Sequence, residues 1–131
     1  MVNNFDPSEI EEAVGDVIYG LGVSENVFYN RPRSDQKDLT DFVVCKVSGQ
    51  IVDYRTYGQG TLSVHLFARN VQNFKNGKKL SLMQKTLIEG MPLSIGDCIL
   101  AGNPRIVGDT DDMQGYHVRI INYTITIKVT N

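Results

Sequence analysis

Two segments of the chain place apolar residues at the three- and four-residue spacing of an amphipathic helix. In the first segment these positions are Ile10, Ala13, Val14, Val17, Ile18 and Leu21. Its ends carry residues typical of helix boundaries, with Asp6 as the N-cap, Pro7 at the first helical position and Gly22 where a left-handed residue is favoured. The pattern predicts a helix over Pro7–Leu21.

The second helical segment begins at about Lys78 and closes at Gly90 and Pro92, which are residues that end helices. Its apolar positions are Leu80, Met83, Leu87 and Met91, with Ile88 beside them. The spacing predicts a second helix that packs this stripe on the core.

The region between the helices predicts strands. Residues Thr61–Arg69 alternate apolar and polar side chains, which is the pattern of a half-buried strand. Residues 42–47 and 50–56 predict two further strands, and 27–29 a short extended piece within the long connection 22–41. Tyr57 to Gly60 is expected to form a hairpin turn, because its two glycines can adopt positive φ.

Three segments after the second helix also predict strands, at 95–101, at 105–108 and along most of the remaining chain. In the last strand the apolar residues change from one face to the other near Ile120, so we expect a bulge or an exchange between sheets there. The element order is α-β-β-β-α-β-β(-β). It predicts one α+β domain, residues 1–131, with a mainly antiparallel sheet and both helices packed on it.

Composition names no partner. The chain has 13 basic and 15 acidic residues and a net charge of -2, which lacks the basic excess of a dedicated nucleic-acid binder. Cys45 and Cys98 each lie in an apolar run, so we expect buried, reduced thiols. Neither a signal peptide nor a membrane span is predicted, and the expected location is the virion or the host cytoplasm.

No motif indicates catalysis or a cofactor. The segment DTDDMQG, 109–115, lacks the ligand spacing of an EF-hand, so we expect a hairpin loop, with weak cation binding as the alternative. His65 and His117 are expected to be ordinary histidines; a metal site shared with a cysteine is the less favoured alternative. We predict a protein that is not an enzyme and holds no metal.

Several basic and aromatic residues are candidates for an interface. Arg31 and Arg33 lie in the long connection, lysines surround the second helix, and Tyr54 and Tyr57 flank Arg55 beside the glycine hairpin. Such mixtures of aromatic rings and cations are favoured at protein interfaces, although a solvated surface explains them as well. The candidate interface residues are Arg31, Arg33, Tyr54, Arg55, Tyr57, Lys78 and Lys79.

The chain resembles the tail-completion or tail-terminator proteins of long-tailed bacteriophages. The resemblance covers EEAVGDVIYGL, RPRSDQKDLTDFVVCKV, TLSVHLFAR, KKLSLMQKTLIEGM and GDTDDMQGYHVRIINYTITI. It rests on element order, size and an acidic loop before a long last strand. The resemblance implies a structural protein that forms a ring, commonly a hexamer, and contacts tail-tube and head-connector proteins. The long 22–41 connection and the 95–108 segment depart from the pattern and leave a neighbouring connector role open.

Two other functional classes make different predictions. A small prokaryotic α+β binding module would gather the polar side of Thr61–Arg69 and the lysines into one patch for nucleic acid or a protein partner. Contact with nucleic acid stays open, without a specific signal. A small enzyme would show a deep pocket with convergent polar groups that include His65 or His117.

Overall fold

The computed structural model of the chain describes residues 7–29, 39–53, 57–70, 77–92, 94–95, 99–111 and 115–128. Its elements are α1 Pro7–Leu21, β1 Val27–Tyr29, β2 Asp41–Asp53, β3 Tyr57–Arg69, α2 Gly77–Gly90, β4 Ser94–Ile95, β5 Ile99–Asp111 and β6 Tyr116–Lys128. The element order predicted from the hydrophobic pattern is confirmed.

The strands form one six-stranded sheet in the order β1-β2-β3-β6-β5-β4. β1 pairs with β2 in parallel, and the other neighbouring pairs are antiparallel. Parallel neighbours require a longer connection than a hairpin does, and residues 30–40 separate β1 from β2. The expected mainly antiparallel α+β sheet is confirmed.

Each helix buries the centre of its predicted apolar stripe, whereas Ile88 is exposed and four other positions are only partly buried, namely Ala13, Val17, Leu21 and Met91. Ile10, Val14 and Ile18 of α1 are buried, and α2 buries Leu80, Met83 and Leu87. Helix α1 ends before Gly22, whose φ of 81° is the expected left-handed conformation. The predicted N-cap, Asp6, lies outside the described residues. Neither described helix is long and apolar enough to cross a membrane.

The main core lies between the helices and one side of the sheet, which we call the helix face. The central strands contribute to it the buried residues Val43, Cys45, Leu62, Val64, Leu66, Ala68, Ile121, Tyr123, Ile125 and Ile127. Full burial of such a side chain contributes roughly 1.5–3 kcal/mol relative to exposure. The alternation predicted for β3 therefore places its apolar side against the helices.

The other side of the sheet, which we call the aromatic face, carries a second and smaller cluster. Phe42, Val44 and Tyr116 are buried there, with Phe28, Leu39 and Phe67 packed around them. The Phe42 ring stacks on Phe67, with 4.2 Å between ring centroids, and meets Tyr116 edge to face at 5.1 Å. Both geometries are favourable for aromatic pairs.

The two apolar faces explain why the apolar residues of the last strand change from one side to the other near Ile120. Tyr116 and Val118 are buried on the aromatic face side of β6, and Ile121 and Ile125 on the helix face. The pairing of β6 with β3 is continuous along the whole strand, so the bulge predicted near Ile120 is wrong for β6.

The irregularity lies in the neighbouring strand β5. The pairing of β5 with β6 shifts between Gly102 and Arg105 and again between Ile106 and Gly108. Asn103 has a φ of 53°, and Pro104 follows it. The separate strands predicted at 95–101 and 105–108 are thus corrected to the short β4 and one long β5, because the chain passes through these irregularities without leaving the sheet.

The first hairpin also differs from its prediction. The segments 42–47 and 50–56 were expected to be two strands, but β2 runs without a break over Asp41–Asp53. The turn expected at residues 57–60 is wrong, because these residues begin β3. Position 60 requires a glycine for steric reasons, because a Cβ there would lie 2.2 Å from the carbonyl oxygen of Ser48.

Candidate assembly surfaces

The structure describes only part of the predicted interface set. Arg31, Arg33, Tyr54 and Arg55 lie outside the described residues, as does the side chain of Tyr57, whose backbone begins β3. Two of the set lie in the first turn of α2, where Lys78 is exposed and Lys79 is partly buried. The structure therefore brings together only the two lysines, which are neighbours in sequence.

Lys79 belongs to a polar cluster around Asp41 at the start of β2. Its Nζ lies 3.4 Å from Asp41 Oδ2, and the hydroxyls of Ser24 and Thr40 donate to the same carboxylate at 2.5 and 3.3 Å. The cluster borders a polar recess of about 240 Å³ between the turn after α1, the start of β2 and α2. These contacts join three elements of the fold, so Lys79 has a structural role as well as a surface position.

The first three of the seven residues of the acidic segment are strand rather than loop. Asp109 and Asp111 are the last residues of β5, which corrects the expected hairpin loop, because β5 pairs with β6 as far as Asp111↔His117. Residues 112–114 lie outside the described part of the chain. Gly115 has a φ of 93°, so the expected positive φ at the end of the segment is confirmed.

The two carboxylates flank His117, which is buried. Its Nδ1 lies 2.9 Å from Asp111 Oδ1, and its Nε2 contacts Asp109 Oδ1. Arg119 donates to Asp109 Oδ2 at 3.3 Å and, from Nη1, to the side-chain oxygen of Gln84 on α2 at 2.9 Å. This polar cluster fastens the end of β5 to β6 and to α2.

The arrangement around His117 has a chemical consequence for metal binding. A histidine ligates a metal through the lone pair of a ring nitrogen, and both ring nitrogens already face carboxylates. Within the described residues, no group of three or more His, Cys, Asp or Glu side chains is placed to hold a metal ion.

The two histidines lie on opposite faces of the sheet. His117 is paired with Ala68 on the helix face, whereas His65 lies one residue from the helix-face positions of β3, beside Phe67. Burial, and after it the charge of Lys46, lowers the pKa of His65 below 6.5. The two imidazoles therefore cannot share one site.

Cys45 is buried and reduced, as expected, while Cys98 lies outside the described residues. Burial, followed by the nearby Glu11 carboxylate, raises the pKa of the Cys45 thiol to about 12. Glu11 is itself buried and accepts a 2.7 Å hydrogen bond from the backbone N–H of Val47. The thiol is thus held protonated, which makes it a poor nucleophile.

The lysines and the polar side of β3 do not form one patch. Helix α2 packs its apolar stripe on the helix face, so Lys78 and Lys85 lie on that side of the molecule. Ser63, His65 and Arg69 alternate with the helix-face residues of β3 and therefore lie on the opposite side. The single basic patch that the binding-module alternative predicts is absent from the described surface.

The outer edge of β5 is a surface that the sequence analysis missed. β4 covers this edge only at Ile99 and Leu100, and no other described strand lies beyond it. Ile106 and Val107 are 52% and 49% exposed there. Exposed β-branched residues on a long edge strand are typical of a pairing site. The separate prediction of 105–108 as a strand of apolar residues was the available signal.

Comparisons with known proteins give a likeness of fold. No protein-family model matches the chain, and no curated protein matches its sequence. A chain of the solved virion of a native gene transfer agent particle is similar in structure, with a TM-score of 0.53 and 6% identity, over 93% of this chain and 92% of that chain. A second solved protein, whose name states no function, has a TM-score of 0.56 and 11% identity over the same shares. At such identities the likeness shows the fold alone.

Proposed function

We propose that this protein is a non-enzymatic structural subunit of a phage or phage-like particle, with the role of a tail terminator. In this role it forms a ring at the end of the tail tube and joins the tail to the head. The observation that carries the proposal is the fold shared with a chain of a gene transfer agent virion across 93% of the length.

The polar groups of the described residues support a structural role. Lys79 meets Asp41, and His117 and Arg119 meet Asp109. Each of these contacts joins two or more elements of the fold, and His117, one of the two histidines that the enzyme alternative names, is engaged in this way. The chemistry-bearing side chains therefore support the fold instead of converging on a substrate.

The partners proposed are further copies of the chain, tail-tube subunits and head-connector subunits. Neither a small-molecule substrate nor a cofactor is part of the proposal. The protein would act in the virion or, before assembly, in the host cytoplasm. Lys78 and the long connection with Arg31 and Arg33 are the proposed contacts to these partners.

Light scattering on a size-exclusion column over a wide concentration range tests the proposal. We expect a discrete assembly whose mass is that of a hexamer of the 14.6 kDa chain, unchanged by EDTA. A monomer at every concentration that binds polyanions with salt-dependent affinity would contradict the ring and favour a nucleic-acid-binding module.

A further inference from the structure

The short strands β1 and β4 cover the outer edges of β2 and β5 over only part of their length, at opposite ends of the sheet. β1 pairs with β2 only at Val43, Val44 and Cys45, which belong to the first half of β2. β4 pairs only with the first two residues of β5. The second half of each strand therefore has no strand beside it among the described residues. Because each neighbouring pair from β2 to β5 is antiparallel, β2 and β5 run in opposite directions.

The register shows which backbone groups point outward. Val47 directs its N–H away from β3, since it donates to Glu11. In an antiparallel sheet the N–H and C=O of a residue point to the same side of its strand. This side reverses at the next residue along the strand and at the paired residue on the neighbouring strand. Following the pairs across β3 and β6 to Ile106 places the N–H and C=O of Ile106 on the outer edge of β5, where an added strand would pair with them.

The side chains of the two half-strands are compatible. β5 presents the half-exposed Ile106 and Val107 and ends in two aspartates. Among the residues of β2 after Cys45 whose side chains the structure describes, Lys46, Ser48 and Gly49 are exposed. Ser48 and Gly49 are small and leave room for the branched side chains of Ile106 and Val107. The bond from Val47 to Glu11 restricts pairing on β2 to the residues beyond Val47.

We propose that β5 of one copy, from Arg105 onward, pairs antiparallel with the second half of β2 in the next copy. The proposal rests on the proposed function, since it names the contact that builds the ring. A contact between two different surfaces of the same chain closes into rings when its rotation permits. Because the uncovered halves lie at opposite ends of the sheet, successive copies are offset along the strands, which is the stagger a closed sheet requires.

The test compares three variants with the parent chain by size-exclusion light scattering. Ile106→Lys combined with Val107→Lys places two cations on the β5 edge, and Ser48→Lys places one cation on the second half of β2, where a lysine disfavours pairing with another strand. Leu82→Lys changes an equally exposed apolar residue on α2, 58% exposed, and is the matched control. Circular dichroism and the melting temperature of dilute samples verify that each variant is folded.

The double lysine variant should raise the concentration of half-assembly at least tenfold, roughly the effect of losing 1.4 kcal/mol per contact. Ser48→Lys should raise it by a smaller factor, and Leu82→Lys should leave it unchanged. An assembled double variant would overturn the edge contact while the ring itself stood. Loss of assembly in the double variant with no effect of Ser48→Lys would point to pairing between two β5 strands and overturn the proposal. A monomeric parent chain would overturn both the ring and the contact.

Discussion

The two faces of the sheet are closed by different means. The helix face is covered by α1 and α2, which bury a continuous set of aliphatic residues. The aromatic face is closed near one end of the sheet by a few aromatic rings, whose cluster includes Leu39 just before β2. Strand β6 serves both faces, because its first half packs on the aromatic face and its second half on the helix face. Loss of a ring should therefore cost as much on the aromatic face as in an ordinary core.

The largest effect should come from Phe42→Ala. Phe42 is fully buried and contacts the rings of Phe28, Phe67 and Tyr116, so its truncation should destabilise the fold by roughly 3–5 kcal/mol. Urea unfolding followed by circular dichroism measures the change. Phe28→Ala is the control, since Phe28 is only partly buried and should cost less. A cost for Phe42→Ala below that of the control would show that the aromatic face is not a core.

Alkaline pH should weaken the helix face. The pKa of Cys45 is raised from 9.0 to about 12 in the fold, so the unfolded chain loses this proton first and the free energy of unfolding falls as pH rises above 9.0. The upper limit is on the order of a few kcal/mol. Urea midpoints across this range should fall more steeply for the parent chain than for Cys45→Val. Equal slopes would show that the thiol is not buried as described.

Tyr116→Phe should cost roughly 1–3 kcal/mol. The Tyr116 hydroxyl donates to the Leu39 carbonyl at 2.6 Å and accepts from Arg69 Nη2 at 3.0 Å, so its loss leaves partly buried groups without these bonds. Tyr123→Phe is the matched control on the helix face, because the buried Tyr123 hydroxyl has no hydrogen-bond partner among the described residues. Thermal unfolding should show no loss of stability in the control. Equal losses in both variants would contradict the described hydrogen bonds.

The smallest effect concerns His65 on the aromatic face. The fold holds its pKa below 6.5, so the unfolded chain binds the proton more readily and the free energy of unfolding falls as pH decreases below 6.5. His65→Gln should flatten this part of the stability profile, which urea midpoints at a series of pH values would show. An unchanged profile would assign the acid sensitivity to other groups.

Local patterns predicted the helices well. The bounds of α1 follow from an apolar stripe, Pro7 and Gly22, all of which act within the segment itself. α2 begins at Gly77, one residue before the predicted start. The glycine pair 58 and 60 was misread because a glycine that permits a turn and one that permits close approach of two strands look alike in a sequence.

Features that depend on register could not be predicted. The His117 cluster joins residues of two strands to Gln84, which lies 35 positions from Arg119. The pairing of β5 with β6 brings the strand residues together, and the packing of α2 on the helix face adds Gln84. The same holds for the open edge of β5, since the strand order decides which strand is outermost. A pattern of apolar positions identifies strands but does not order them.

Electron microscopy of the purified protein tests the central claim most directly. We expect closed rings with a central channel, as the role proposed above requires, and their loss in the Ile106→Lys, Val107→Lys variant. Uniform particles of monomer size at concentrations where scattering also finds monomer would contradict the account.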